Sequence, residues 1–314
     1  MLGLARLQAQ DVHFAQPDLD PMLLNPAYSG FYEGSGRFGL IYRNQWFSIT
    51  QPYQTLALTG EMAIYRNNSG SQGLSLGATM LADRAGTLHY GTTSGHLSAA
   101  YYFALNRYRT NVVSLGFSLG YGQSGFDPSQ AELNDPSETF RQVLVNYPIV
   151  GLGAAWYFMP NADLVMRLGL SANNVNRPNI SYFGADDTYL QRRYTLFARA
   201  EWRHWSTISL MPVVMFQMQG QYHELVYGAD FKWYLDEQSA KPISLRTGLA
   251  LRQADALIAS LLIEYGAFLF AFNYDANISP LAAASGTVGA MEVGLVYRFS
   301  NSRKRIKAVK CPVY

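Results

Sequence analysis

The sequence predicts an all-β fold: a transmembrane, antiparallel up-and-down β-barrel of about 14 strands. Three observations carry this. Apolar and polar residues alternate with period two, segment after segment. The chain is rich in tyrosine and glycine and poor in charge. Short and long connections follow one another along it.

The alternation is clearest over Leu225 to Leu235. One face carries Leu225, Tyr227, Ala229, Phe231, Trp233 and Leu235; the other carries Val226, Gly228, Asp230, Lys232 and Tyr234. A strand puts such a set on one side, whereas a helix scatters it. Leu164, Met166, Leu168 and Leu170 repeat the pattern, as do Phe268, Phe270, Phe272 and Tyr274, and Val293, Leu295, Tyr297 and Phe299.

Composition decides where the apolar faces point. Charged residues make up 15 % of the chain, against about 25 % in ordinary soluble domains. Mean hydropathy is nevertheless only −0.05. A large soluble β-sandwich would need a surface much richer in Lys and Glu, so the apolar faces are expected to meet lipid. In lipid every backbone N–H and C=O must be paired within the protein, and a sheet achieves that only by closing on itself. No run of about 18 uncharged apolar residues predicts a helical span. Trp156, Trp202, Trp233, Tyr297 and Phe299 fall near strand ends, as interfacial girdles do.

Strands are predicted near 37–46, 54–65, 73–83, 92–105, 112–126, 149–159, 162–175, 193–204, 208–220, 223–235, 243–253, 256–266, 267–278 and 289–300. The ninth and twelfth alternate poorly. Short turns are expected at Arg66–Gln72, Asn106–Asn111, Met159–Asn161, His204–Thr207 and Asp236–Pro242. Longer loops are expected at Asp83–Gly91, Asp127–Pro148, Asn176–Arg192 and Asn277–Thr287. With both termini periplasmic, the odd-to-even connections fall outside, and the long ones are of that kind.

The polar faces would point Arg37, Arg43, Glu61, Arg167, Arg199, Glu201, Arg203 and Asp230 into the lumen, together with Lys232, Arg246, Arg252, Glu264, Asp275, Glu292 and Arg298. Two readings stand. One is a conducting or substrate-selecting pore; the other is a lumen filled by cross-strand ion pairs. Eight-stranded barrels are filled by side chains and those of 16–18 strands leave a channel. About 14 strands lies between, so loops or the N-terminal segment are candidates to occlude it.

Leu7-Gln8-Ala9 before Gln10-Asp11 has the form of a signal-peptide cleavage site whose apolar core is missing. Residues 1–9 are therefore read as a signal-peptide remnant, with the start codon placed further upstream. Residues 10–36 form a pre-barrel segment, 37–300 the barrel, and 301–314 a basic periplasmic tail.

Little points to chemistry. Cys311 is the sole cysteine, so no intrachain disulfide or thiol metal cluster is possible. No phosphate-binding glycine loop or metal-ligand spacing occurs, and no cofactor is expected. A net charge of +2 gives no strong field for nucleic acid. Among the histidines, His89 and His96 could meet Ser94 or Asp83 at an external rim, but no spacing selects them. Catalysis is not expected.

Several strings occur together and in order. Asn25-Pro26-Ala27-Tyr28-Ser29-Gly30 precedes Ile41-Tyr42-Arg43-Asn44-Gln45-Trp46. Gln10-Asp11 is followed by Phe14-Ala15-Gln16. Asp83-Arg84-Ala85-Gly86, Asn173-Asn174-Val175-Asn176-Arg177-Pro178, Arg192-Arg193-Tyr194 and Asn273-Tyr274-Asp275 come later, and the chain ends Cys311-Pro312-Val313-Tyr314. Taken together they resemble the PorP/SprF proteins of type IX secretion and gliding motility. Ala15 departs from the family's usual Ser, and Tyr314 from its usual terminal Phe.

The resemblance implies an integral barrel of the bacterial outer membrane. Its partners would be an exported cell-surface protein, adhesin or cargo, and periplasmic components of the secretion machine. The alternative is an outer-membrane channel for small-solute uptake. Asn25, Pro26, Tyr42, Arg43, Asn44, Gln45, Trp46, Cys311 and Pro312 carry the family signature. Asn25-Pro26-Ala27 reads locally as a turn that lies in the periplasm or tucks into the lumen. The longest external loops, Asp127–Pro148 and Asn176–Arg192, are the expected partner contacts through Asp127, Pro148, Asn176 and Arg192. Arg305 and Lys307 of the tail are the periplasmic ones.

Overall fold

A computed structural model describes residues 14–32, 34–48, 51–86, 90–126, 144–182, 188–280 and 282–300. Among these, fourteen antiparallel strands close into a single barrel. They are β1 (Gly36–Gln45), β2 (Tyr53–Arg66), β3 (Gln72–Ala85), β4 (Tyr90–Ala104), β5 (Asn111–Gly125), β6 (Leu144–Phe158) and β7 (Leu164–Asn173). The second half comprises β8 (Arg193–Trp205), β9 (Ile208–Gln219), β10 (Tyr222–Asp236), β11 (Ile243–Arg252), β12 (Ala256–Tyr265), β13 (Phe268–Asn277) and β14 (Val288–Phe299).

Each strand pairs with its chain neighbours, and β1 closes on β14 from Gly36↔Phe299 to Gln45↔Ala290. Closure leaves no sheet edge running through the lipid, which is what makes the structure tolerable there. Side chains alternate across the wall as predicted. Along β1, Phe38, Leu40 and Tyr42 are exposed while Gly39, Ile41 and Arg43 are buried. The predicted girdle residues Trp156 and Trp202 are exposed near one rim, joined by Trp205, Tyr265 and Phe268.

The rim at the start of β1 and the end of β14 carries only short turns, of which 105–110 and 237–242 are the longest. Short turns mark the periplasmic rim of such barrels. The opposite rim carries the connections 126–143 and 174–192.

Both weakly alternating strands are present. At Pro212, which has no N–H to give, the β8–β9 ladder is interrupted between Arg199↔Val213 and Trp202↔Leu210. The wall stays continuous because Pro212 still faces Ala229 of β10.

Two expectations about the external rim are corrected. First, the connection expected as a longer loop at Asp83–Gly91 spans only 86–89, because β3 runs on to Ala85 and β4 starts at Tyr90. The short connections that the predicted strand bounds leave near 221–222 and 254–255 are present: β9 and β10 are joined by Gly220 and Gln221 alone, with Gly220 at φ +61°, and β11 and β12 by 253–255. Tight hairpins of this kind need only a residue that accepts positive φ. Second, β6 starts at Leu144, so Pro148 lies in a strand instead of ending a loop. Its neighbours Val145, Tyr147 and Ile149 turn inward and pack on Leu190 and Ile180. Proline is tolerated because its backbone faces the β7 side, where pairing begins only at Leu152↔Ala172.

Candidate functional site

The lumen is occupied by the chain's own N-terminal segment. Phe14 to Tyr32 runs inside the barrel as a short helix, α1 (Pro21–Leu24), and a 3-10 turn at Pro26–Tyr28. It enters from the level of Arg43 and Glu292 in the external half and descends to the start of β1. Most of its side chains are buried, Leu19, Ala27 and Ser29 completely.

Its conformation follows from local sequence. Asp20 caps α1, its carboxylate accepting the Leu23 N–H at 3.3 Å. Pro21 and Pro26 open the two helical pieces, where a missing N–H costs nothing. Asn25 caps the 3-10 turn by accepting the Ala27 N–H at 2.9 Å. Its amide donates to the carbonyls of Ala154 on β6 and Leu170 on β7, at 3.0 and 3.1 Å. The Asn-Pro-Ala string is thus both a turn and a clamp on the wall.

Three carboxylates hold the segment. Asp18 is met by Arg167 at 2.8 Å, by Arg246 at 3.3 Å and by Arg199, drawing β7, β11 and β8 onto one residue. Its backbone carbonyl also accepts from Arg37 at 3.3 Å. Glu292 of β14 accepts the Ala15 N–H at 2.8 Å and pairs with Arg43 at 3.3 Å. Glu61 of β2 accepts the Gly30 N–H at 2.6 Å while paired with Arg37. Below them, Phe31 stacks on Tyr157 with ring centroids 3.8 Å apart, and Arg167 lies 4.6 Å over the Tyr28 ring.

Among the described residues the wall buries eight cations (Arg37, Arg43, Arg167, Arg193, Arg199, Lys232, Arg246, Arg252) and six carboxylates (Glu61, Glu224, Asp230, Glu264, Asp275, Glu292). The segment brings Asp18 and Asp20, both buried. Buried charges survive only when compensated, and Asp18 supplies a carboxylate to three of the wall's arginines. Further pairs, Arg43 with Asp275 at 3.0 Å and Lys232 with Glu264 at 3.2 Å, fill the space around it.

Steric fit is equally close. A Cβ on Gly116 of β5 would lie 2.2 Å from the Ala27 nitrogen. One on Gly153 of β6 would lie 1.9 Å from the Asn25 side-chain oxygen. Bare backbone on β5 and β6 is what lets the segment lie against the wall.

The sequence-predicted residues divide accordingly. Asn25, Pro26 and Arg43 belong to this lumenal assembly. Tyr42 faces outward, and Asn44 and Gln45 are half-buried at the top of β1. Trp46 leaves the strand at φ +57° and sets its ring edge-on to Tyr53 at 4.9 Å. Asn176 and Arg192 are exposed on the external rim, yet both hold the base of their connection. Asn176 accepts the Val150 N–H at 3.1 Å and donates to the Pro148 carbonyl at 2.8 Å; Arg192 donates to the Val175 carbonyl at 3.0 Å. Asn176→Ala is therefore expected to speed hydrogen exchange at the Val150 amide by about fivefold, for a loss of about 1 kcal/mol. Asp127, Arg305, Lys307, Cys311 and Pro312 lie outside the described residues. So does His89; His96 meets Ser94 at 3.1 Å, while Asp83 accepts from Thr55 at 2.6 Å. Among the described residues no group of three or more His, Cys, Asp or Glu is placed to hold a metal ion.

Comparison with known proteins adds the following. The family model described as type IX secretion system membrane protein PorP/SprF matches residues 7–297. No curated protein matches. Among solved structures, the toluene transporter TodX of Pseudomonas putida superposes with a TM-score of 0.55 at 9% identity, covering 92% of this chain and 95% of its own. The Ralstonia pickettii toluene transporter TbuX gives 0.51 at 11% identity, over 88% and 93%. A Pseudomonas aeruginosa FadL homologue gives 0.51 at 10% identity over the same shares. At such identities the likeness concerns the barrel fold alone.

Proposed function

Because this chain belongs to the PorP/SprF family of type IX secretion system membrane proteins, we propose that it is a self-plugged outer-membrane anchor and not a solute channel. In this reading it holds an exported cell-surface protein, adhesin or cargo, at its external rim. It contacts periplasmic components of the secretion machine at its other rim. The supporting observation is the occupied lumen. Asp18 with its three arginines, and Asn25 on the β6 and β7 carbonyls, fix a segment where a solute path would run. What remains for recognition is the outside of the molecule.

The external contacts are assigned to the rim around Asp127, Pro148, Asn176 and Arg192, where the longest connections gather. The periplasmic contacts are assigned to the basic end of the chain, including Arg305 and Lys307. The test is affinity purification of the tagged protein from gently solubilised outer membranes, followed by mass spectrometry. Recovery of a large surface protein or of periplasmic type IX components is expected. Recovery of the barrel alone would count against the anchor and return the uptake channel.

A further inference from the structure

Above the plug, on the external side, the lumen holds a cavity of about 110 Å³. Met22 and Leu23 of α1 form its floor, and β3 to β8 its walls. We propose that this cup binds one neutral sugar ring, a hexopyranose entering from outside, either free or as the terminal residue of a glycan. The site goes beyond the anchoring role and does not depend on it.

The first argument is the lining. Inward positions of β3, β4 and β5 carry Thr79, Thr92, Ser94, Ser98, Ser118 and Ser124. Elsewhere the lumen wall carries arginines, carboxylates and large apolar side chains such as Tyr157 and Phe197, whereas here short hydroxyls leave room. Each hydroxyl both donates and accepts, which suits a ligand that is itself a ring of hydroxyls. At the mouth they already form a connected set: Tyr182 donates to Ser124 at 2.8 Å, Ser124 to Tyr90 at 3.0 Å, and Thr92 to Ser124 at 3.3 Å.

Two rings, Tyr147 and His96, also line the cup. The Tyr147 ring lies across Gly122, where a Cβ would be 2.5 Å from it, and His96 lies across Gly120 in the same way. Rings that lie against bare backbone on the cavity lining offer apolar surface to the C–H side of a sugar. The second argument is the placement of planar polar groups. Asp83 and Arg193 stand on different walls, and neither sign dominates, so neither an anion nor a cation is favoured. The Asn173 amide nitrogen, also on the lining, is out of contact with solvent and finds no acceptor among the described residues. A ligand hydroxyl would satisfy it. Size settles ring against chain: the cavity has room for several waters' worth of solute, not for an extended polymer.

The test uses the full chain purified in an amine-oxide detergent, since glycoside detergents would compete. Methyl glycosides of glucose, galactose and mannose, and N-acetylglucosamine, are examined by saturation-transfer-difference NMR. Saturation of the ring protons of at least one probe is expected in the native protein. Ser118→Leu, which fills the cup, should weaken that binding by at least about tenfold. Heat-modifiable gel mobility reports whether it folds; should it not, Asn173→Ala and Asp83→Asn take its place, each losing about tenfold. A second arm presents immobilised glycans ending in the preferred ring. Affinity well above the methyl glycoside's identifies the glycan as the source, and equal affinity a free sugar. The proposal is overturned if no probe is saturated. It is equally overturned if a folded, filled variant binds as well as the native chain, or if a short serine-rich peptide binds where no sugar does.

Discussion

Asp18→Ala is expected to unseat the N-terminal segment while leaving the barrel wall intact. The carboxylate pairs with Arg167 at 2.8 Å, and it shares Arg199 and Arg246 with Asp230, whose oxygen lies 3.3 and 3.6 Å from them. Removing one partner of a buried charge pair costs about 3–5 kcal/mol, because the other charge is left uncompensated. Here three guanidiniums lose it at once. The docking equilibrium of the segment should shift by roughly a hundred- to a thousandfold. The strands are held by a closed ladder that the mutation does not touch. Hydrogen exchange should therefore accelerate over Leu19 to Asn25 and stay slow in β7, β8 and β11. Asp18→Asn, which keeps the shape and removes the charge, should do nearly the same. Unchanged protection over Leu19 to Asn25 in both variants would show that packing, not the ion cluster, retains the segment.

Gly116→Val tests packing separately. The new side chain would begin 2.2 Å from the Ala27 nitrogen and 2.4 Å from the Pro26 carbonyl carbon. Both are backbone atoms, so no rotamer change relieves the overlap. Overpacking of a filled interior costs about 1–3 kcal/mol when side chains can adjust, and the upper end or more is expected here. Gly95→Val is the control, since a Cβ there meets nothing within 4 Å. The midpoint of the heat-induced gel shift should fall for Gly116→Val and hold for Gly95→Val. Equal midpoints would contradict the close fit of segment and wall.

The wall was legible in the sequence because a barrel strand in lipid has one dominant constraint. Leu225 to Leu235 must alternate, since every second residue meets hydrocarbon. The start of β6 was hidden because Pro148 reads locally as a breaker, and only the absence of a facing β7 strand makes it acceptable. The hairpin at Gly220–Gln221 was legible to within a residue, because the alternating runs on either side leave only two residues between them. The plug left no periodic trace. Its contacts join residues far apart in the chain, such as Asn25 with Leu170 and Ala15 with Glu292. The Asn25-Pro26-Ala27 string marked a turn without saying where it lay, and no motif singled out Asp18. The surplus of arginine on the predicted inward faces was the available signal, because buried cations demand carboxylates from somewhere.

The most direct test of the account is the conductance of the wild-type protein in a planar bilayer. A barrel sealed by Phe14 to Tyr32 should insert without conducting, and the Asp18→Ala variant should open intermittently on the same membrane. Stable open steps from the wild type would contradict the sealed lumen and favour a solute channel.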